Sequence, residues 1–229
     1  MLPFIQIGSF RFQSYLFMAL VAFLASTLLI VLRRKPQGVP VWEALALSCT
    51  TLVGGIIGAK IFHLAGRVIQ GEAFWTVRFW QSVRLDSGYV WYGGVIGAFL
   101  FLLVYAKIRK MPLRNMFDLM TPFALSFDAI ARFGCLFAGC CYGVRVAWGI
   151  KIHGVPRFPS PLFESALCLI ILALFLIWKP ERKRPGILLP LFLALYSAGR
   201  FFLEYFRGDA HRGSFLIFSA SFRQFGASR

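Results

Sequence analysis

Six long apolar runs divide this chain, and they restrict it to folds that can exist inside a lipid bilayer. They cover residues 15–32, 42–66, 89–106, 117–139, 161–178 and 186–206. A helix needs about 20 apolar residues to cross the hydrocarbon core, and a bilayer admits only helices and closed barrels. The run lengths therefore predict an all-α polytopic bundle of six transmembrane helices. A seventh helix stays open, because the apolar stretch at 213–222 resembles the approach to another span.

The composition supports a membrane protein and argues against a soluble one. The chain is 59% hydrophobic and only 15% charged, whereas soluble domains carry about 25% charged residues. No polar block is long enough to fold alone, so residues 1–229 are expected to form a single integral membrane domain. The net charge of +16 comes from cations scattered through short loops. That distribution fits the positive-inside rule better than a nucleic-acid-binding face, so no nucleic-acid partner is expected.

Cations that lie directly at the span ends predict the orientation. Compact groups of three, four and four Lys or Arg occur at 33–35, 107–114 and 179–184. The positive-inside rule makes these connections cytoplasmic and puts the N-terminus outside. Only Arg11 precedes the first run, which is the reverse of a cleaved signal peptide. The first run is therefore expected to be a retained helix.

Three cations lie inside the apolar runs: Lys60, Arg132 and Arg200. A cation near the bilayer centre costs from about 2.5 kcal/mol upward, so such residues usually face a polar cavity. Their presence predicts an anionic lipid bound within the helical bundle.

The densest local motif is ARFGCLFAGCCYG at 131–143. If the fourth helix continues through it, Arg132, Cys135 and Gly139 share one face. Glycines such as Gly139 and Gly143 also let backbone or ligand approach closely. The alternative is helix packing through small residues, with Arg132 only extending toward the interface.

A second motif, GRFFLEYFR at 199–207, places Arg200, Glu204 and Arg207 at positions i, i+4 and i+7. An Arg–Glu–Arg stripe can balance its own charges and still offer N–H donors to a phosphate. The alternative is a purely structural ladder of ion pairs.

Two glycine-rich segments add further candidates for binding an anion. In YGGVIG at 92–97, Gly93 and Gly94 would expose backbone N–H groups at a helix N-terminus. In the second span, Lys60 and His63 lie one turn apart. His63 could equally be hydrogen-bonded to a neighbouring helix.

The cysteine spacing argues against a metal site. Cys135, Cys140 and Cys141 follow a C-x4-C-C pattern rather than paired C-x2-C, and no nearby His completes four ligands. Thiols packed as small apolar groups are the expected state. We therefore expect neither a metal nor another cofactor.

Taken together, the motifs resemble those of the prolipoprotein diacylglyceryl transferase family of bacterial inner membranes, over about residues 50–215. DSGYVWYGGVIG at 86–97 is similar to the family's D-G-G-x-x-x-H-G-G-L-x-G. The segment 131–143 is similar to G-R-x-G-N-F-x-N-x-E-x-x-G. PSPLFE at 159–164 resembles H-P-S-Q-L-Y-E, and 196–207 resembles Y-x-x-x-R-x-x-x-E-x-x-R.

The resemblance implies a location, a reaction and residue roles. Family members move the diacylglyceryl group of phosphatidylglycerol onto the thiol of a lipobox cysteine and release glycerol phosphate. The implied partners are phosphatidylglycerol or another anionic phospholipid, and a lipobox-containing prolipoprotein, at the bacterial inner membrane. The resemblance implies that Arg132 and Arg200 hold the lipid phosphate. Glu204 and Arg207 would support them, and Tyr196 begins the closing motif.

The chain departs from the family at six positions. Lys60 stands where the family has Arg, and Tyr92 and Phe158 stand where it has His. Cys135 and Ala138 stand where it has Asn, and Cys140 where it has Glu. A phenol is a poorer general base than an imidazole at neutral pH. The leading prediction is a divergent transferase in which Tyr92, Cys135 and Cys140 join the two arginines in catalysis, with His63 as another candidate base. One alternative is an altered member that binds or moves anionic phospholipid, or that uses a different acceptor. Another is a redox or metal protein built on the cysteines.

Overall fold

The computed structural model describes residues 4–7, 10–69, 71, 89–152 and 154–207. Six long helices lie within these ranges: α1 (Ser14–Arg33), α2 (Val41–Ile69), α3 (Trp91–Ile108), α4 (Leu113–Ala138), α5 (Ser160–Trp178) and α6 (Leu188–Glu204). Two antiparallel hairpins accompany them: β1 (Phe4–Ile7) with β2 (Phe10–Gln13), and β3 (Arg145–Ile152) with β4 (Val155–Arg157). Short 3-10 turns occupy Lys35–Gln37 and Pro180–Arg182.

The helices confirm the prediction of a polytopic helical membrane protein. Helices α1 to α5 are each long and apolar enough to cross a membrane. Helix α6 has 17 residues, which is at the lower limit of about 17–25 for a span. The leucines of α1 that recur every fourth residue are all more than half exposed: Leu16, Leu20, Leu24, Leu28 and Leu32. Residues at this spacing line one side of a helix, and an exposed apolar stripe suits contact with lipid.

Several sequence predictions differ from the structure or lie beyond it. The predicted fourth and sixth spans reached residues 139 and 206, but their helices end at Ala138 and Glu204. The β3–β4 hairpin lies between the predicted fourth and fifth spans, where no element was predicted. The candidate seventh helix at 213–222 and the first residues of the motif at 86–97 lie outside the described residues.

The chain divides into two compact units. The first comprises the described parts of 1–26, 121–180 and 188–229, and the second comprises those of 27–120 and 181–187. The expectation of a single membrane domain stays a prediction.

In the second unit, helices α2 and α3 touch through glycines spaced four residues apart, Gly54 and Gly58 on α2 and Gly93 and Gly97 on α3. A methyl group added at Gly58 would overlap the Gly93 carbonyl oxygen and lie 2.6 Å from the Gly97 Cα. Small residues at this spacing let membrane helices approach until their backbones meet. The α2–α3 contact of the second unit therefore leaves no room for a larger residue at these glycine positions.

In the first unit, the β3–β4 hairpin packs against the segment that follows α6. Phe158 is buried and stacks on Phe163 and Phe206, with ring centroids 4.5 and 5.0 Å away. The Val144 N–H donates to the Phe206 carbonyl at 2.9 Å, and the next residue, Arg207, forms a β-bridge with Gly143. These contacts fix the backbone from which the Arg207 side chain extends.

Candidate functional site

Three arginines of the first unit meet at one buried carboxylate, that of Glu164 on α5. Glu164 is 1% exposed. Its Oε2 lies 2.6 Å from the Arg132 Nη1, and its Oε1 lies 3.2 Å from the Nη1 atoms of both Arg200 and Arg207. The structure thus brings together guanidinium groups from α4, from α6 and from the segment after α6. We call these residues, with their carboxylate partners, the arginine cluster.

Two further carboxylates complete the arginine cluster. The Arg132 Nε lies 3.3 Å from an oxygen of Asp128, one turn earlier on α4. The Arg200 Nη2 lies 2.9 Å from an oxygen of Glu204, one turn later on α6. Among these described side chains, three arginines face three carboxylates, so their formal charges sum to zero. An anion that replaced one of these carboxylates would leave that sum unchanged.

Exposure identifies which carboxylate can be exchanged. The Glu204 side chain is 48% exposed, against 13% for Asp128 and 1% for Glu164. Exposed i,i+4 ion pairs contribute only about 0.3–0.5 kcal/mol. Breaking a buried pair costs about 3–5 kcal/mol because it leaves an uncompensated charge. The Glu204 carboxylate is therefore the easiest of the three to replace.

A groove of about 340 Å³ opens beside Arg200 on α6, with the lining residues Tyr196, Ser197, Arg200, Phe201 and Glu204. The Arg200 side chain is 25% exposed, whereas those of Arg132 and Arg207 are 12% and 7% exposed. Arg200 is thus the arginine of the cluster that a ligand can reach most easily. The groove also presents the Tyr196 and Phe201 rings, which suit contact with an apolar ligand.

Hydrogen bonds between α4 and α5 hold the arginine cluster together. The buried Ser165 hydroxyl on α5 donates to the Ala129 carbonyl on α4 at 2.8 Å. One turn further along α5, the Cys168 thiol lies 3.4 Å from Asp128 Oδ2. These contacts fix the α4–α5 register that places Arg132 opposite Glu164.

Arg207 reaches the cluster in a way that the sequence analysis did not predict. Helix α6 ends at Glu204, so the expected single helical face carrying Arg200, Glu204 and Arg207 is wrong. The backbone turns after Glu204 and bridges to Gly143. A methyl group at Gly143 would overlap the Phe206 carbonyl oxygen and would lie 2.8 Å from the Phe158 Cβ. The predicted close approach at Gly143 is therefore one of backbone against backbone, with the Phe158 side chain beside it, and it positions Arg207.

The end of helix α4 gathers three cysteines. Gly139 has φ +72, its N–H donates to the Leu136 carbonyl, and the Cys140 N–H donates to the Cys135 carbonyl at 3.0 Å. This is the Schellman pattern of a helix C-terminus. The expectation that Gly139 continues the helical face of Arg132 is therefore wrong, because this glycine ends the helix.

The Schellman turn folds the chain back on itself, so that the Sγ atoms of Cys135, Cys140 and Cys141 all lie within 4.8 Å of one another. We call these three residues the thiol trio. Cys135 is buried, Cys141 is half-buried and Cys140 is exposed. A hydrogen bond with Cys135 lowers the pKa of the Cys140 thiol, but a hydrogen bond with Cys141 and partial burial outweigh it. The net effect raises the pKa of Cys140 to about 11.

The other predicted polar candidates belong to the second unit. Lys60 is buried on α2, and its Nζ lies 5.1 Å from the centroid of the Tyr89 ring, a cation–π contact. His63 is half-buried one turn further along α2. Tyr92, at the start of α3, is 76% exposed. Their predicted roles remain predictions.

The two glycines predicted to bind an anion have structural roles at the start of α3. Gly93 lies in the α2–α3 contact, where a methyl group would lie 2.6 Å from the Gly58 carbonyl oxygen. The Gly94 N–H donates to the Val90 carbonyl at 3.1 Å. Close helix packing therefore accounts for the glycine at position 93, and the anion-binding role of both residues stays a prediction.

Asp128 and Glu164 are site residues that were not predicted from the sequence. The predictions rested on cations within the apolar runs, although a carboxylate inside a span is equally costly and equally informative. Glu164 lies in the fifth run, and Asp128 lies four residues before Arg132. Their position inside apolar runs is the signal that identifies both.

A family model described as prolipoprotein diacylglyceryl transferase matches residues 3–226. Phosphatidylglycerol–prolipoprotein diacylglyceryl transferase 2 of Clostridium perfringens is 29% identical over 235 residues, covering 94% of this chain and 86% of that protein. The enzymes of the same name from Clostridium tetani and Campylobacter curvus are 26% and 30% identical. They cover 94% and 83% of this chain, and 88% and 75% of their own lengths.

Proposed function

We propose that this chain, which belongs to the prolipoprotein diacylglyceryl transferase family, transfers the diacylglyceryl group of phosphatidylglycerol to the thiol of a prolipoprotein cysteine. The observation that carries the proposal is the convergence of Arg132, Arg200 and Arg207 on the buried Glu164. Relatives named as this transferase cover most of the chain. The expected location is the bacterial inner membrane, with the N-terminus outside.

The lipid phosphate is proposed to bind at Arg200, where it takes the place of the Glu204 carboxylate. A phosphodiester carries one negative charge, as does the carboxylate that it replaces, so the arginine cluster stays neutral. Guanidinium groups donate paired N–H bonds that match the spacing of phosphate oxygens. Glu164 holds Arg132, Arg200 and Arg207 in place from the buried side. The groove lined by Phe201 suits the apolar part of the lipid.

The proposed reaction replaces a carbon–oxygen bond by a carbon–sulfur bond. The cysteine sulfur bonds to the terminal glycerol carbon of the diacylglyceryl group, and the bond from that carbon to the phosphate oxygen breaks. The thiol proton passes to the base that activates the thiol and finally to the released glycerol phosphate. Negative charge builds on the departing glycerol phosphate. Preorganised donors at such a position are worth about 10²–10³-fold in rate each, which is the role proposed for Arg132 and Arg200.

Activation of the acceptor thiol remains the predicted task of Tyr92 or His63, and Cys135 and Cys140 remain predicted participants. A second function is a protein that binds or moves anionic phospholipid, or that serves a different acceptor. The replacement of family Asn and Glu residues by Cys135 and Cys140 favours this alternative. Both functions use the same phosphate contacts, but only the transferase must also move the diacylglyceryl group to an acceptor thiol.

Complementation separates the two functions. Bacteria depleted of their own transferase would receive this chain, Arg200→Ala or Arg132→Ala, with Lys183→Ala as the control because Lys183 is an exposed cation outside the cluster. The transferase predicts growth rescue by the parent chain and by Lys183→Ala, and loss of rescue in both arginine variants.

A binding measurement on the purified chain completes the test. Saturable binding of radiolabelled phosphatidylglycerol, without transfer to a lipobox peptide and without rescue, supports the second function. Absence of both binding and transfer refutes the phosphate site itself.

A further inference from the structure

The thiol trio forms a second cluster that phosphate binding does not use. Its sulfur atoms come from the last turn of α4, through the buried Cys135, and from the turn that follows, through Cys140 and Cys141. The Schellman hydrogen bonds hold this turn, and the Cys140 thiol donates to the Cys135 carbonyl at 3.5 Å. The backbone therefore brings the three sulfurs together before any ligand binds.

The spacing of the trio suits a thiolate-bound metal ion. Zinc–sulfur bonds are about 2.3 Å long, so three sulfurs around one ion lie roughly 4 Å apart. The observed sulfur–sulfur separations are within 4.8 Å. Displacements of the sulfur atoms of about 1 Å would therefore bring them to the spacing that one zinc ion requires. Cys140 is exposed, so an ion can reach the site from solvent. Cys135 is buried, so its sulfur is shielded from solvent.

We propose that Cys135, Cys140 and Cys141 bind one thiophilic metal ion of the zinc class through three thiolates. Binding forms three metal–sulfur bonds and releases three protons, with no change in oxidation state. A divalent ion and three thiolates carry a net charge of −1. Three protein ligands with one open coordination position is an established arrangement for zinc, so the site does not require a histidine.

The structure explains why the cysteine spacing argued against a metal in the sequence. A C-x2-C pair brings two sulfurs together through a tight turn, and C-x4-C has no such property within a helix. The helix ends between Cys135 and Cys140, however, and the Schellman turn at Gly139 returns Cys140 to Cys135. A C-x3-G-C pattern at a helix end therefore does what C-x2-C does in a loop.

Cadmium titration of the reduced, full-length protein tests the site. The protein would be held in lipid nanodiscs without oxygen, and the ultraviolet thiolate-to-cadmium charge-transfer band would be followed as Cd²⁺ is added. We expect saturation at one ion per chain, and competition by Zn²⁺. Cys140→Ser and Cys141→Ser should each weaken binding by more than about 100-fold, since loss of even outer-shell partners costs 10–100-fold.

Cys49→Ser is the matched control, because Cys49 is an exposed thiol on α2 outside the trio. It should leave the stoichiometry and affinity unchanged. An alkylation count gives a second measurement: bound cadmium should protect three of the five thiols. Failure of the band to saturate at one ion, or equal weakening by Cys49→Ser and the trio variants, would overturn the proposal. Cys140 is exposed, so Cys140→Ser should fold, and circular dichroism checks this.

Discussion

Replacing Glu164 by Gln removes the charge on which the arginine cluster converges while keeping the shape of the side chain. The wild-type cluster balances three arginines with three carboxylates, and the variant leaves one buried positive charge uncompensated. Glu164 is 1% exposed and lies 2.6 to 3.2 Å from the three guanidinium groups. Losing one partner of a buried ion pair costs about 3–5 kcal/mol. At about 2–4 °C per kcal/mol for a chain of this size, the melting temperature should fall by about 6–20 °C.

Anionic lipid should restore much of that loss. A phosphate bound at Arg200 supplies the negative charge that Glu164→Gln removes, so the variant should gain more from phosphatidylglycerol than the parent chain does. The assay is thermal unfolding of both proteins in nanodiscs of pure phosphatidylcholine and of phosphatidylcholine mixed with phosphatidylglycerol. Binding to the folded state alone raises the unfolding free energy by about 2.7 kcal/mol when the lipid is at 100 times its dissociation constant.

Glu43→Gln is the matched control. Glu43 is also buried and also accepts hydrogen bonds, from the Tyr105 hydroxyl at 2.8 Å and from Arg109 at 3.3 Å, but it lies outside the cluster. It should lower the melting temperature without any rescue specific to phosphatidylglycerol. The reasoning is refuted if Glu164→Gln melts within about 2 °C of the parent in phosphatidylcholine, or if phosphatidylglycerol rescues both variants equally.

Four further changes test other parts of the structure. Glu204→Gln should leave the melting temperature within about 2 °C of the parent, because the Glu204 side chain is 48% exposed. It should also tighten phosphatidylglycerol binding in a vesicle assay, and weaker binding would contradict carboxylate exchange. Gly58→Ala should lower the free energy of unfolding by about 1–3 kcal/mol through overpacking. Gly55→Ala should be tolerated, because its added methyl group would lie 3.8 Å from its nearest atom. Equal melting temperatures of the two variants would contradict the α2–α3 contact. Gly139→Ala places an alanine in a left-handed backbone conformation, which costs about 1–2 kcal/mol. It should therefore lower both the melting temperature and the affinity for cadmium. An unchanged affinity for cadmium would contradict the role of this turn in bringing the three thiols together. With its pKa raised to about 11, Cys140 is a neutral thiol at pH 8. It should therefore alkylate about 100-fold more slowly than a free cysteine, and its alkylation rate should rise about 10-fold per pH unit up to that pKa. Mass spectrometry of labelled peptides measures the rate, and a fast reaction at pH 7 would exclude the raised pKa.

The sequence predicted the helices well because apolar length is a local property. Each helix overlaps its predicted run, and the errors at Gly139 and Arg207 concern only where a helix stops. A helix end depends on hydrogen bonds among a few residues, and apolar runs continue through such ends without a change of composition. The β3–β4 hairpin was missed for a related reason, since its eight- and three-residue strands carry no long alternating pattern.

The candidate site was harder to predict than the helices because it is made by distant segments. Arg132 and Arg200 stand out as intramembrane cations, but nothing in their local sequence says that both face Glu164. That relation depends on the register of α4, α5 and α6, which hydrogen bonds such as Ser165 to Ala129 decide. The thiol trio similarly depends on one left-handed glycine at the end of α4.

The neutrality of the arginine cluster bears on how a membrane protein can keep a phosphate site ready. Three guanidinium groups without counter-charges would be too costly to hold together in an apolar setting. Glu164 and Asp128 reduce that cost permanently because their side chains are only 1% and 13% exposed, and Glu204 does so reversibly because its side chain is 48% exposed. A lipid phosphate that replaces Glu204 meets arginines already fixed in position, so little reorganisation is needed when charge builds on the leaving group. On this argument the carboxylates are what allow the arginines to be preorganised, and the most exposed carboxylate marks the place where the phosphate enters.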